Sequence, residues 1–90
     1  MSKIQRQAMI CNQRGLHARA AAKFVKVAAA FQADIEVRKG DQAVSGQSIM
    51  GLMMLAAGIG STVEISASGE DAEAAMAAVL DLIERKFDEE

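Results

Sequence analysis

The chain has almost none of the residue types that build metal centres, disulfides or aromatic cavities. Its 90 residues include one cysteine, one histidine and three phenylalanines, with no proline, tryptophan or tyrosine. A single cysteine excludes an intramolecular disulfide and a cysteine-based zinc site. With one histidine, a metal site would need carboxylates alone, and none cluster suitably along the sequence. We therefore expect neither a metal nor a cofactor.

The size of the chain and its short apolar runs limit the architecture further. Ninety residues suit one domain with a thin core of two layers and no room for a deep substrate cavity. No apolar run approaches the ~20 residues that a membrane span needs. No signal-peptide pattern precedes the first apolar segment. We expect a single domain over residues 1–90 that is cytoplasmic and does not insert into a membrane.

The net charge of −2 conceals a strong asymmetry along the chain. Residues 1–40 carry eight basic and two acidic side chains, whereas residues 41–90 carry two basic and ten acidic ones. The basic first half suits an acidic protein partner or a phosphate. Nucleic acid is a poor fit, because the lysines and arginines are few and no aromatic side chains are interleaved among them.

Apolar residues recur with strand spacing in some segments and helix spacing in others. The predicted elements are strands near 4–10, 34–38, 42–45 and 63–67, helices near 18–31 and 49–56, and a last helix with a buried stripe of Ala72, Ala75, Met76, Val79, Leu80, Ile83 and Phe87. The order β-α-β-β-α-β-α predicts an α+β fold. We expect a two-layer open-faced sandwich, with a four-stranded antiparallel sheet and three helices on one face. Cys11 is expected to be a small, reduced, mostly buried residue of the first strand.

The only histidine lies in Gly15-Leu16-His17-Ala18-Arg19, where the strand pattern ends and a helix pattern begins. An imidazole is neutral or nearly so at cellular pH and keeps a ring nitrogen free for nucleophilic attack. The free amides and the positive dipole end of a helix start favour a phosphate. Arg19 adds a planar charge that matches phosphate oxygens. The alternative is that His17 only caps the helix or lies on the surface.

A family resemblance emerges from two motifs. Gly15-Leu16-His17-Ala18-Arg19, followed by an alanine-rich helix, resembles the active-site signature of the HPr family, the histidine-containing phosphocarriers of the bacterial phosphotransferase system. About thirty residues later, Ser48-Ile49-Met50-Gly51-Leu52-Met53 resembles that family's regulatory serine segment. Length, element order and both motifs fit from about Ile4 to Phe87.

The resemblance implies roles for the matching residues. His17 would accept a phosphoryl group through Nδ1, and Arg19 would stabilise the phosphate. HPr-like proteins take the group from phosphorylated enzyme I and pass it to an EIIA-type domain, as carriers rather than stand-alone catalysts. Sugar uptake and nitrogen-regulatory phosphotransfer both remain open, and we expect a monomer. The family usually has proline after the arginine. Ala20 replaces it here, a change that the first turn of a helix tolerates.

The second motif predicts a docking surface and a regulatory site. Ser48 is the expected N-cap of a short helix whose buried side holds Leu52 and Leu55. The residues predicted to bind partners are Ala18, Ala20, Ile49, Met50, Gly51, Met53 and Met54. The alternative is that the methionines fill gaps in the core, as we expect for Met76. The resemblance also implies a serine kinase/phosphorylase acting on Ser48, so a regulatory binding protein is the second function class. The pairing of His17 with Arg19 favours a phosphocarrier.

Overall fold

Four strands and three helices make up the computed structural model, which describes residues 3–89 of the chain. In chain order the elements are β1 (Lys3–Met9), α1 (Ala18–Ala29), β2 (Asp34–Lys39), β3 (Gln42–Ser45), α2 (Ile49–Met54), β4 (Thr62–Ser68) and α3 (Ala72–Glu84), and a 3-10 turn at Lys86–Asp88 follows α3. This order confirms the predicted α+β fold.

The sheet has the strand order β1-β4-β2-β3, and every neighbouring pair is antiparallel. Along β1 and β4, Met9 lies opposite Thr62. Just beyond this pair, the N–H of Ile10 donates to the carbonyl oxygen of Ser61 at 2.8 Å. The N–H of Gly60 donates to the carbonyl oxygen of Ile10, also at 2.8 Å. The loop that leaves β1 toward His17 is therefore fixed beside the segment that leads into β4.

The core lies between the sheet and the three helices. Alternate residues of the two central strands supply one side of it, namely Ile35 and Val37 from β2 and Val63, Ile65 and Ala67 from β4. The helices supply Ala20, Ala21, Phe24, Ala28, Leu52, Ala72, Ala75, Met76, Val79, Leu82 and Ile83. The many alanines among these residues let the helix backbones approach the sheet closely, so the core is thin, as the composition predicts.

Helices α1 and α2 end earlier than predicted. Helix α1 ends at Ala29 and not at Phe31, because the N–H of Phe31 bonds the carbonyl of Ala28 three residues back, as in a 3-10 turn. Helix α2 ends at Met54, since Ala56 has a φ of 53° and cannot continue a right-handed helix. Both differences concern helix ends, which depend on local hydrogen bonding that apolar spacing does not record.

The last helix and the lone cysteine also differ from expectation in detail. Leu82 is buried, whereas Leu80 lies at the margin of the buried stripe and is partly exposed. Phe87 is fully buried as predicted, but it lies beyond the end of α3 at Glu84. Cys11 follows the end of β1 and is only half-buried. The burial of Phe87 shows that the chain turns back toward the core after Glu84 instead of continuing as a helix.

Candidate functional site

The loop before His17 is held in a conformation that requires glycine. Gly15 has a φ of 66°. A Cβ atom at this position would lie 2.4 Å from the carbonyl oxygen of Ala57 and 2.8 Å from the Cα of Gly58. The same carbonyl accepts a hydrogen bond from the N–H of Leu16 at 2.9 Å. Gly15 therefore permits a close contact between the histidine loop and the segment that follows α2.

Asn12 is the buried polar residue of this loop, at 1 % exposure. Its Nδ2 donates to the carbonyl oxygen of Gly15 at 2.8 Å and to Oε1 of Glu89 at 3.0 Å. One side-chain amide thus ties the turn before His17 to the C-terminal end of the described chain. Nothing in the sequence around Asn12 indicates this role, because its partner Glu89 is distant along the chain.

His17 occupies the N-cap position of α1 with extended backbone angles. Its carbonyl accepts the first intrahelical bond, from the N–H of Ala21 at 2.8 Å, but its side chain caps no backbone amide. The first-turn amides of Ala18, Arg19 and Ala20 have no intrahelical acceptor. The first turn also contains no acidic residue. This helix start therefore favours an anion beside the imidazole, which is itself about one-quarter exposed.

An open cavity of about 780 Å³ adjoins His17, and its charged lining is mainly basic. The cations around it are Arg14, Arg19, Lys23 and Lys86, and the anions are Asp88 and Glu89. In the sequence, Arg19 is the cation singled out to stabilise the phosphate, and Arg14 adds positive charge from the loop before His17. Lys23 lies four residues after Arg19 on the same helix, so its presence on this face could have been read from the spacing. Arg14 and Lys86 come from a loop and from the turn after α3.

The carboxylate of Glu89 contacts both His17 and Asn12. Its Oε2 bonds Nε2 of His17, and its Oε1 accepts from Asn12. The hydrogen bond from Asn12 lowers the pKa of Glu89 below its ordinary value of 4.5. Partial burial opposes this, and the hydrogen bond from His17 and the charge of Arg14 lower the pKa further. Glu89 is therefore ionised at neutral pH. Neither composition nor spacing pointed to this residue.

The serine motif forms the predicted capped helix. Ser48 is the N-cap of α2, and its Oγ accepts from the N–H of Gly51 at 2.9 Å. A Cβ atom at Gly51 would lie 3.0 Å from that Oγ and 3.0 Å from the Cβ of Val44, so the position has little room for a side chain. The capping prediction for Ser48 is confirmed.

The residues of α2 divide between the core and the surface as the spacing predicts. Leu52 and Leu55 are buried. The large apolar residues at the surface of this segment are Ile49, Met50, Met53 and Met54, of which Met50 and Met54 are about 70 % exposed. Met76, in contrast, is buried in the core, as expected. We call the four exposed residues the α2 apolar surface.

The two alanines assigned to partner binding lie on opposite sides of α1. Ala18 is exposed beside His17, whereas Ala20 is fully buried. Position 20 belongs to the core face of α1 together with Ala21 and Phe24, so its side chain cannot contribute to an exposed docking surface. The structure corrects the sequence prediction in this respect. The replacement of proline by alanine at this position leaves α1 intact.

The part of the chain that the structure describes meets neither the requirements of a metal site nor those of a membrane-spanning helix. Between residues 3 and 89, no group of three His, Cys, Asp or Glu side chains could hold a metal ion. Over the same residues, no helix is long and apolar enough to cross a membrane.

Comparisons with known proteins identify the family of this chain. The family model for the PTS HPr component phosphorylation site matches residues 4–85. Phosphocarrier protein NPr of Shewanella violacea is 45 % identical over 89 residues, covering 99 % of this chain and 98 % of that protein. Phosphocarrier protein HPr of Cupriavidus necator is 46 % identical over 86 residues, covering 96 % and 97 %. A crystal structure of HPr from Thermoanaerobacter tengcongensis superposes with a TM-score of 0.89 at 46 % identity, covering 100 % and 99 % of the two chains. The chain belongs to the HPr family of phosphocarriers of the phosphotransferase system.

Proposed function

We propose that this chain accepts a phosphoryl group on Nδ1 of His17 from phosphorylated enzyme I and passes it to an EIIA-type domain, in sugar or regulatory phosphotransfer. The observation that carries the proposal is the placement of His17 at the start of α1, beside a cavity lined by four cations. In this proposal residues 1–90 act as one cytoplasmic, monomeric domain. The chain is a co-substrate of its partners and requires no cofactor.

The geometry favours Nδ1 as the acceptor atom. A neutral imidazole that donates its Nε2–H to a carboxylate keeps the lone pair on Nδ1. Since Nε2 of His17 is bonded to Glu89, the other ring nitrogen is the one left for attack on phosphorus. The attack forms the N–P bond while the bond between phosphorus and the donor breaks, and the electron pair of that bond leaves with the donor.

Positioning and charge supply most of the rate acceleration in such a step. The first-turn amides of α1 and the guanidinium of Arg19 provide positive potential where the three phosphoryl oxygens would lie. A phosphorylated imidazole is also a good leaving group, so the phosphoryl group can be passed on and is not stored. The partner would provide the rest of the catalytic groups.

The direct test is incubation with phosphoenolpyruvate and a cognate enzyme I, followed by intact-mass measurement. We expect the mass to increase by one phosphoryl group, and the adduct to be lost in acid and retained in alkali. Addition of an EIIA-type domain should then remove it. A chain that stays unmodified with an enzyme I that phosphorylates another HPr would overturn the proposal.

Reversal of charge at Arg19 should slow phosphoryl transfer. In Arg19→Glu a carboxylate replaces the guanidinium beside the cavity, and we expect the transfer rate to fall at least about tenfold with little change in melting temperature. Arg19→Lys should restore part of the rate, because an ammonium supplies charge without the planar fork. The measurement is the rate of adduct formation from phosphorylated enzyme I.

A matched control separates local from overall charge. Arg6 is exposed on β1, and Arg6→Glu alters the net charge by the same amount. Equal rates for Arg19→Glu and Arg6→Glu would show that Arg19 is only a solvated surface residue.

We further propose that the α2 apolar surface is the docking site for enzyme I and the EIIA-type domain, together with Ala18 and Gly51. Met50 and Met54 are flexible, strongly exposed apolar side chains, and exposed residues of this kind mark protein-binding surfaces more often than they serve stability. The contact between Leu16 and Ala57 places the end of this segment next to the histidine loop. A partner could therefore cover both at once.

A second function, regulation through Ser48, is favoured by the position of its hydroxyl at the cap that leads into the α2 apolar surface. In Ser48→Asp the carboxylate can accept from the free amides of α2 and complement the helix dipole. We expect the melting temperature to stay the same or rise slightly. Transfer from enzyme I should weaken, mainly through a higher half-saturating concentration, because the nucleophile is untouched.

Gln5→Glu provides a comparable negative charge on the exposed face of β1, away from α2, and should leave both quantities unchanged. The measurement pairs thermal melts with transfer rates over a range of partner concentrations. If Ser48→Asp lowers stability and transfer together, Ser48 serves only as a structural cap. The proposal of a serine kinase/phosphorylase acting on it would then be abandoned.

A further inference from the structure

The chain makes an unusual turn after α3. Lys86, Phe87 and Asp88 have φ values of 59°, 55° and 61°, and none of them is glycine. Left-handed backbone is unfavourable for residues with a Cβ atom, and a run of three is rare. A turn of this kind persists only where the surrounding contacts determine it.

Three sets of contacts hold this turn. The side chain of Phe87 is fully buried in the core. Its carbonyl oxygen accepts from Nζ of Lys23 on α1 at 2.8 Å. Arg85 donates from Nε to Oδ1 of Asp88 at 3.0 Å and also pairs with Asp81. An anchor in the core, a bond to α1 and an ion pair across the turn therefore direct the residue that follows.

That residue is Glu89, and its side chain reaches the histidine loop. Both carboxylate oxygens have donors, because Asn12 bonds Oε1 and Nε2 of His17 bonds Oε2. Asn12 itself is buried and bonded to Gly15, so the carboxylate is fixed on one side by a rigid group. In such an arrangement, a carboxylate bonds one ring nitrogen of a histidine while the other nitrogen reacts. The carboxylate then orients the ring and selects its tautomer.

We propose that Glu89 is a positioning residue for His17. This inference rests on the proposed function. By accepting the Nε2–H, Glu89 keeps the lone pair on Nδ1 and fixes the plane of the ring toward the cavity. As the N–P bond forms, the ring becomes more positive and the Nε2–H proton stays between the ring and Glu89, whose charge compensates this change. No proton is gained or lost in the step.

The negative charge of Glu89 does not exclude the phosphoryl group from the site. Two carboxylates, Asp88 and Glu89, line the cavity, and Asp88 is paired with Arg85. Against them stand Arg14, Arg19, Lys23 and Lys86, together with the positive end of α1. The site therefore keeps a positive potential for an incoming anion with Glu89 in place.

The test compares Glu89→Gln and Glu89→Ala with the control Glu84→Gln. Glu84 is exposed at the end of α3, and its substitution removes the same charge. A Gln at position 89 keeps one acceptor oxygen for the two donors, Asn12 and His17, and an Ala keeps none. We expect both variants to lower the transfer rate at saturating phosphorylated enzyme I by about tenfold, with an unchanged half-saturating concentration. Glu84→Gln should behave as the parent chain does.

A second measurement requires no partner. The ¹⁵N chemical shifts of the His17 ring report which nitrogen carries the proton. We expect the protonated Nε2 form to dominate in the parent chain and a mixture of tautomers in Glu89→Ala. Equal ring shifts and equal rates in Glu89→Ala and Glu84→Gln would overturn the positioning role and leave the proposed function standing, provided that the parent chain is phosphorylated. Faster transfer in Glu89→Ala would also overturn it, and would show that the carboxylate obstructs the site.

Discussion

Replacement of His17 by alanine should abolish phosphorylation completely while the chain stays folded. The expected result is the unmodified intact mass after incubation with phosphoenolpyruvate and enzyme I. His17 is the only histidine, so no other imidazole can substitute. The side chain caps no amide of α1 and is partly exposed, so the loss of stability should be about 1 kcal/mol or less. Circular dichroism and a thermal melt check that the fold is retained.

A parallel variant, Ser48→Ala, tests whether Ser48 carries any of the phosphoryl adduct formed by enzyme I. It should take up the acid-labile phosphoryl group as the parent chain does, because Ser48 is not the acceptor from enzyme I. An adduct that persists in His17→Ala, or that disappears in Ser48→Ala, would contradict the assignment of His17 as acceptor.

The substitution Gly15→Ala should cause the largest loss of stability among the residues near the site. The new methyl group would require a positive φ and would lie well inside contact distance of the carbonyl oxygen of Ala57. Left-handed strain of about 1–2 kcal/mol and overpacking of about 1–3 kcal/mol together predict a loss of about 3 kcal/mol. For a chain of this size that corresponds to a decrease in melting temperature on the order of 10–20 °C.

Gly40→Ala provides the matched control for this prediction. Gly40 lies in the turn between β2 and β3 with a φ of 61°, and a Cβ atom there would meet nothing within 4 Å. It should therefore show only the strain, a loss of about 1 kcal/mol. If the two substitutions destabilise the chain equally, the contact between the histidine loop and Ala57 contributes nothing beyond the backbone conformation of Gly15.

The fold was predictable because the apolar residues of each strand and helix recur with the spacing of that secondary structure. The alternation of Ile35 and Val37 with charged residues, and the helical spacing of Phe24 and Ala28, each record which side faces the core. The Ser48 cap was predictable for the same kind of reason, since a side-chain oxygen three residues from a free amide makes a local bond. The ends of the helices and the burial of Leu82 were predicted less well, because they depend on individual hydrogen bonds and packing contacts.

At the site, local residues were accessible from the sequence and distant ones were not. His17, Ala18 and Arg19 are neighbours in the chain, so their chemistry could be considered together. The role of Asn12 could not be inferred from the sequence, because it depends on a partner 77 positions away. Ala20 was assigned to partner binding, but its side chain is buried, because position 20 belongs to the core face of α1.

The sequence by itself determined the order of the elements, the core faces of the strands and helices, and the placement of a histidine and an arginine at a helix start. These follow from interactions between residues a few positions apart, which periodicity and capping record. Only the tertiary structure decided that Lys86 and Glu89 join the site. The distance between His17 and Glu89 along the chain is 72 residues. A left-handed turn anchored by the buried Phe87 is what brings them into contact, and such a turn depends on core packing that no local pattern encodes.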